Sequence, residues 1–473
     1  FTLGVLQIIL GSSMVIPVIV QIIYGQLDSS FIGAGIVTII FGVLFFLSNL
    51  DHQKKLNLQQ AFLLTSLSWI SIALFGSLPF FFSNLELSLT DSFFESMSGI
   101  TTTGSTIIVS LDDSPKAILI WRAMLQWLGG IGIIVMAISI LPVLQVGGMQ
   151  VFRTESSDTS DKILPRTAQV ASAVLSIYIV LTSLCALGYW VFGMQIFDAV
   201  NHSMTTIATG GFSTKSGSIG AFNSSGIDYV SSIFMILASL PILVYLQLYR
   251  GKITDFFKDQ QIITFILIVF LSCTAVIVYL WFYNIKEPAE AIRHGLFNVT
   301  SIITGTGYTT DNYNLWGAFP IYLLFFGMFI GGCAGSTTCG IKVFRFQILF
   351  ETTRNQIKKV LHPHGVFIPH YNNKKLSDDV VTSVMSFFFV FILSFIVITL
   401  LLSTTQLDFI TSLSAAATSL ANVGPGLGST IGPEGNFSGI PLGAKWVLIA
   451  AMLIGRLELF TVLVLIMPQF WKK

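Results

Sequence analysis

Charge is what this sequence has least of. Only 10% of its 473 residues are Asp, Glu, Lys or Arg, against about 25% in a soluble domain, so a water-exposed globule is excluded. Strict alternation of polar and apolar residues is also missing, which argues against a transmembrane β-barrel. The four cysteines, Cys185, Cys273, Cys333 and Cys339, include no C-x-x-C pair. They indicate neither a disulfide framework nor a metal site and read as small apolar helix residues. The first apolar run, 4–24, lacks a basic flank and a small-residue cleavage site, so it does not read as a signal peptide. Because the chain begins at Phe1, native residues are expected before it. What the chain does have is hydrophobic surface, 53% of its residues with a mean hydropathy of +0.81. This surface recurs in runs of about 20 residues, the length of a helix that crosses a hydrocarbon core. The expected class is an all-α integral membrane protein.

Two spans come first, 4–24 and 31–50. A unit of another shape follows: a span (61–82), a segment too short and polar to cross (89–98), a polar loop beginning Thr101-Thr102-Thr103-Gly104, and a long span from 118. The same plan returns three times, with polar loops at Ala208-Thr209-Gly210-Gly211, Thr304-Gly305-Thr306-Gly307-Tyr308 and Asn422-Val423-Gly424-Pro425. Placing Gly104, Gly210, Gly307 and Gly424 at one shared position gives separations of 106, 97 and 117 residues, and repetition at a near-constant period is an architectural signal. The expected organisation is an N-terminal helix pair (1–60) and four pseudo-symmetric helix–pore loop–helix repeats (61–150, 151–260, 261–376 and 377–473) around one pore. That makes ten spans and four re-entrant segments.

Basic residues fix the orientation, since cytoplasmic connections collect them. Seventeen of the 24 fall on one side, in the connections between units and the tail, from Lys54 and Lys55 through Arg153, Lys258, Lys342, Arg345 and Arg354 to Lys375 and Lys473. The loop ends carry acids instead: Asp28, Glu86, Asp91, Glu95, Asp112, Asp113, Asp198 and Asp311. The polar loops are therefore expected to face outward, with both termini cytoplasmic.

Non-helical backbone at membrane depth persists only where it is buried in protein or lines water. Four such loops around one axis can replace an ion's hydration shell with backbone carbonyls. Glycine allows the backbone angles this needs, and each half-helix aims its negative C-terminal end at the axis. The acids at the loop ends are expected to form a funnel that concentrates cations. The candidate cation ligands are Thr102, Thr103 and Gly104; Ala208, Thr209 and Gly210; Gly305, Thr306 and Gly307; and Asn422, Val423 and Gly424. The loops differ after the shared glycine, so an asymmetric filter is expected.

Several stretches resemble the Trk/Ktr/HKT superfamily of potassium transport proteins, in its TrkH-type bacterial form. They are Thr101 to Gly104, Trp127-Leu128-Gly129-Gly130-Ile131-Gly132, Ala208 to Thr214, Gly331 to Thr337, Asn422 to Gly426 and Gly455-Arg456-Leu457-Glu458. The resemblance spans essentially the whole chain, and the extra N-terminal helix pair matches the longer Trk form rather than Ktr. It implies potassium uptake across a bacterial inner membrane by a homodimer with one pore per protomer. It also implies a cytoplasmic TrkA-like nucleotide-binding regulatory ring, so that any nucleotide sits on that partner and this chain needs no cofactor of its own. Lipid is the other partner, and no nucleic acid is implied. Glycine at position 104, where sodium-permeating plant members carry serine, implies selectivity for potassium.

The last span of the third unit meets Gly331-Gly332-Cys333-Ala334-Gly335-Ser336-Thr337-Thr338-Cys339-Gly340 at mid-depth. So many small and polar residues read as a broken helix bordering a cavity, or alternatively as a small-residue packing face. The resemblance makes the segment a gating loop, with Gly331, Gly332, Gly335, Ser336, Thr337, Thr338 and Gly340 as gating residues. Family loops are often more glycine-rich where Thr338 and Cys339 stand, which bears on the loop's flexibility. Arg456, a charge inside a span, is expected to reach this loop and donate to its freed carbonyls, or else to pair locally with Glu458. Arg122, His202, Arg293 and His294 are expected to brace the half-helices through Asp91, Glu95, Asp198 or Glu290, with a histidine proton site as the alternative. The basic stretch Arg354 to Lys375, with His362-Pro363-His364, reads as a solvated loop or a docking surface for the ring. An ion-coupled symporter using the same filter is the alternative function. An intramembrane enzyme built on Ser203, His202 and Asp198 lacks a nucleophile–base–orienter set.

Overall fold

The computed structural model describes residues 1–48, 57–139, 167–249, 251, 256, 258–372 and 374–472. Arg153 and the first-to-second connection from 140 to 166 lie outside the described residues, as do Lys54, Lys55 and Lys473. Beside its helices and the loops that join them, the described chain has a short hairpin pairing His370–Tyr371 with Lys374–Lys375 and an isolated bridge between Ile330 and Ile341. This hairpin follows the helix Val343–Leu361 and occupies the end of the basic stretch.

The four units are visible as leading helix, half-helix and closing helix. They run Leu58–Gly76, Leu89–Ile100 and Lys116–Ser139; then Thr167–Val191, Ile196–Ile207 and Ser225–Ala238; then Gln260–Phe282, Pro288–Ile303 and Ala318–Gly327; then Asp378–Ser403, Phe409–Ala421 and Leu442–Arg456. The closing helices of the first, second and fourth units each pack on the half-helix of the next unit, the fourth on the first. Between the third and fourth units, Tyr313 Oη donates to Gly426 O (3.3 Å) and Asn314 Nδ2 to Gly428 O (3.0 Å). The units therefore close a ring. Outside it, Thr2–Ile23 and Ser30–Leu47 pack as the expected N-terminal pair.

The half-helices have 12, 12, 16 and 13 residues. At 1.5 Å per residue none can cross about 30 Å of hydrocarbon. Their starts are set locally. Ser88 accepts from Asp91 N, Asp408 accepts from Thr411 N, and Pro288 occupies the first turn of the third, where a missing N–H costs nothing. The Thr411 hydroxyl, helped by backbone donors, holds the Asp408 carboxyl below the usual carboxylate range. This cap's contribution is therefore present above the unfolded carboxylate pKa and is lost as the pH falls through the lower folded value. We expect Asp408→Ala to cost about 1 kcal/mol, measured as a lowered thermal midpoint in detergent at neutral pH, with the gap closing in acid.

Two expected spans are not continuous. The closing helix of the second unit, expected to run unbroken over 229–249, bends by 93° between Ser225–Ala238 and Ile242–Leu248, at Ser239-Leu240-Pro241, where Pro241 has no amide to continue the ladder. The last span, expected over 446–467, bends by 119° between Leu442–Arg456 and Phe460–Ile466, with Glu458 and Leu459 at φ of 62° and 31°. Among the described residues, seven helices are long and apolar enough to cross a membrane, or nine if each bent pair is one span. The tenth expected span enters as Ala318–Gly327, only 10 residues long, and stops at the 331–340 segment.

Candidate ion-conducting site

Each half-helix ends at the ring axis in the same four-residue turn. The amides of Thr103, Gly210, Thr306 and Val423 donate five residues back, to the carbonyls of Ser98, Thr205, Ser301 and Thr418, each at 2.9 Å. Before them stand Thr102, Thr209, Gly305 and Asn422 at φ of 53°, 50°, 71° and 52°; after them stand Gly104, Gly211, Gly307 and Gly424 at 87°, 76°, 79° and 110°. This corrects the register of the second loop. Gly211, not Gly210, is the counterpart of Gly104, Gly307 and Gly424, while Gly210 matches Thr103, Thr306 and Val423, and Ala208 matches Thr101. The sequence does carry the signal, as Ser/Thr-x-Ile/Leu-x-x-x-Gly at 98–104, 205–211, 301–307 and 418–424. Adjacent glycines at 210 and 211 hide it.

The corrected register closes a ring. A Cβ on Gly104 would strike the Gly210 carbonyl oxygen, one on Gly211 that of Thr306, and one on Gly307 that of Val423. A Cβ on Gly424 would lie 2.8 Å from the Thr103 oxygen. Each loop's glycine thus lies against the carbonyl of the next, around the full circle, and a side chain at any of the four would enter that contact. Gly104, Gly211, Gly307 and Gly424 line an open mouth together with Arg122, Lys215 and Phe437. Behind the loops, Gln126 donates to Gly210 O (2.6 Å) and accepts from Phe212 N (3.0 Å). Ser105 Oγ donates to Gly424 O (2.9 Å), and Asn422 Nδ2 donates to Thr103 Oγ1 (2.8 Å) and Met452 O (2.9 Å). After the shared glycine stand Ser105, Phe212, Tyr308 and Pro425, two of them aromatic in the corrected register. Tyr308 sends its hydroxyl to His202 O (3.2 Å) and shares a 2.5 Å hydrogen bond with Thr205 Oγ1.

The 331–340 segment crosses the other side of the ring. Thr102 Oγ1 lies 3.7 Å from Cys339 Sγ, and Thr209 Oγ1 lies 3.4 Å from Thr337 Oγ1. The segment is a loop sewn to the broken second closing helix. Cys333 N donates to Ser239 O (2.9 Å), Thr337 Oγ1 to Ala238 O (3.1 Å), and Ile242 N to Gly335 O (2.9 Å). The break at Pro241 thus frees backbone groups that the loop then satisfies. Within the loop, Thr338 Oγ1 accepts from Gly332 N (3.0 Å) and bonds to Ser336 Oγ (2.7 Å) and Lys342 Nζ (3.1 Å). Gly331 N donates to Ile341 O (2.9 Å). The hydroxyl at 338 therefore staples the loop where a glycine would leave it loose.

Arg456 ends its helix against this loop. Nη1 donates to Thr337 O (3.3 Å) and contacts Cys339 Sγ, Nη2 donates to Gly129 O (3.0 Å), and the guanidinium lies 5.6 Å from the Trp69 ring. Glu458 does not pair with Arg456; it pairs with Arg345. Lys342 and Arg345, counted by sequence among cytoplasmic surface cations, are instead buried beside the loop. Their signal is ambiguous because a broken span carries its basic end inward.

Four of the eight acids at the loop ends are held in ion pairs, which weakens the expected funnel. Glu95 pairs with Arg122, Asp91 with Lys445, Asp112 with Lys215 and Asp311 with Lys286. Arg293 pairs with Asp228 (2.6 Å), outside the four expected partners. His202 meets Asp198 only through its backbone oxygen (2.8 Å), with Ser213 Oγ on its other nitrogen, and His294 meets Thr310. Ser203 donates to Val200 O and is not engaged by His202. Among the described residues no cluster of three or more His, Cys, Asp or Glu could hold a metal.

A ring of four re-entrant half-helices ending in glycine turns, inside a bundle of apolar helices, is the architecture of an integral membrane protein whose loop carbonyls are placed where they could replace a cation's water. The chain belongs to the TrkH family, described as cation transport proteins, whose family model matches residues 28–473. It is a transport family, not an enzyme family. The chain is 44% identical over 474 residues to the Trk system potassium uptake protein TrkI of Halomonas elongata, covering 100% of this chain and 96% of the relative. It is 40% identical over 476 residues to the Trk system potassium uptake protein TrkH of Escherichia coli, covering 99% and 98%. The crystal structure of the potassium transporter TrkH from Vibrio parahaemolyticus matches with a TM-score of 0.91 at 37% identity, covering 99% of this chain and 98% of that one.

Proposed function

We propose that this chain takes up potassium across a bacterial inner membrane, as the names of its relatives indicate for them. The observation that carries the reading is the cyclic contact of Gly104, Gly211, Gly307 and Gly424 with the carbonyls of Gly210, Thr306, Val423 and Thr103. The filter ligands are the residues of those four turns, with Gly211 added to the sequence set. The 331–340 loop gates from below, held by Arg456, Thr338 and Lys342. The working assembly is a homodimer with a TrkA-like nucleotide-binding ring docked on the cytoplasmic face, where the basic helix Val343–Leu361 and the 370–375 hairpin supply positive charge. Both termini are cytoplasmic, and the chain divides at the boundaries of its helix pair and four repeats.

Expression in a bacterium lacking its own potassium uptake tests this reading. Growth and potassium uptake at low external potassium are expected. Membrane-inserted protein that restores neither refutes the reading. Reversal potentials in reconstituted membranes distinguish the two modes of transport. Values that follow the potassium gradient alone indicate a channel, and values that shift with proton or sodium gradients indicate coupled symport through the same filter.

A further inference from the structure

Glu95 and Arg122 are fully buried, and Arg122 Nε donates to Glu95 Oε1 at 2.7 Å. A buried ion pair is poor evidence of stabilisation, because desolvation of two charges commonly offsets their attraction. What this pair does have is reach. The Glu95 carboxylate also accepts from Thr106 Oγ1 (2.9 and 3.1 Å) and Ile107 N (2.9 Å), on the return limb of the first loop. Arg122 Nη1 donates to Ser213 O (2.8 Å), and its guanidinium lies 4.0 Å from the Phe212 ring, on the return limb of the second. Thr106 and Ser213 each stand two residues beyond their loop's positive-φ glycine. The pair therefore grips equivalent points of adjacent loops. The other junctions use different means: Ser105 Oγ on Gly424 O between fourth and first, and Tyr308 Oη on Thr205 between second and third.

We propose that the Glu95–Arg122 pair is a positioning device that fixes the separation of the first and second filter loops and thereby sets the discrimination between potassium and the smaller sodium ion. Neither side chain coordinates the ion. The pair acts by holding the Gly104 and Gly211 turns at a spacing that suits the larger cation. The carboxylate has a second consequence. Arg122 lines the mouth above the ring, and Glu95 neutralises a guanidinium that would otherwise repel arriving cations.

This inference rests on the potassium-uptake reading. The experiment measures potassium and sodium uptake, with membrane protein quantified, for wild type, Glu95→Gln, Arg122→Lys, Thr106→Val and the double variant Glu95→Gln/Arg122→Gln. Thr106→Val keeps both charges and removes only the loop's hydroxyl, so it serves if the charge variants fail to insert. A roughly tenfold fall in the potassium-to-sodium ratio is expected in Glu95→Gln and Arg122→Lys and a smaller fall in Thr106→Val, as loss of about one net hydrogen bond's discrimination implies. The double variant should recover total cation flux over Glu95→Gln without recovering the ratio. Variants whose potassium and sodium uptake fall in equal proportion would show a merely structural pair and overturn the inference alone. A wild-type protein that moves no potassium would overturn the functional reading and this inference with it.

Discussion

Gly211→Ala is expected to abolish potassium uptake, whereas Gly210→Ala should leave a substantial part of it. The two glycines are neighbours in the same polar turn, yet the physics at each is different. Gly211 stands at φ +76°, and its added methyl would be driven into the Thr306 carbonyl oxygen of the next loop. An L-residue in that conformation costs roughly 1–2 kcal/mol before any clash. Relief of the clash requires the Gly211 backbone or the Thr306 carbonyl to move, and both belong to the ring. Gly210 lies outside the positive-φ set. Its methyl would meet the Gln126 amide, at 2.5 Å from Oε1, which is the far end of a side chain that can swing aside. Because Gln126 also holds Gly210 O and Phe212 N, some loss is expected there, but not collapse. Uptake rates at equal membrane protein decide between the two. Equal losses, or a greater loss at 210, would restore Gly210 to the shared position and break the cyclic contact.

That reversal of roles shows what sequence can and cannot convey. The spans, the four half-helices and their loops are legible because hydrophobic run length and glycine-rich interruption are one-dimensional signals. The half-helices in particular have to be re-entrant, since segments so short cannot cross. Register within a loop is not legible from the glycines themselves, because two adjacent ones satisfy the same pattern. It becomes so only from the hydroxyl residue six positions earlier, whose carbonyl caps the turn. The breaks at Pro241 and at Glu458-Leu459 are hidden because the flanking residues are apolar enough for a straight span. Lys342 and Arg345 are misplaced for a related reason. The positive-inside rule counts charges at the ends of spans, and the loop draws the end of this one into the protein, where Thr338 and Glu458 receive the two cations. Cys339 reads as a small apolar residue in sequence, and its place between Thr102 and Arg456 depends on a fold-back that no local pattern encodes.

Arg456→Gln is the second substitution with a large expected effect, and its direction can be argued. The guanidinium does two separable things beneath the ring. In the proposed pathway it places a positive charge at the inner side of the cation route, and it ties Thr337 and Cys339 of the loop to Gly129 of the first closing helix. Two like unit charges about 8 Å apart repel by about 2 kcal/mol at an effective dielectric near 20, about thirtyfold in rate. The loop tie consists of charge-assisted bonds in a buried site, each stronger than a neutral one. A glutamine in place of the arginine would keep a shorter amide donor and lose both the charge and the fork. We therefore expect larger single-channel currents and a higher open probability in the Arg456→Gln protein, recorded with the reconstituted complex. Arg456→Lys separates the two contributions, because an ammonium keeps the charge but cannot span Thr337 and Gly129 with one planar fork. It should retain the wild-type current amplitude while the open probability rises. Currents and open probabilities unchanged in both variants would remove Arg456 from the gate. A raised amplitude in the lysine variant would show that geometry, not charge, forms the barrier.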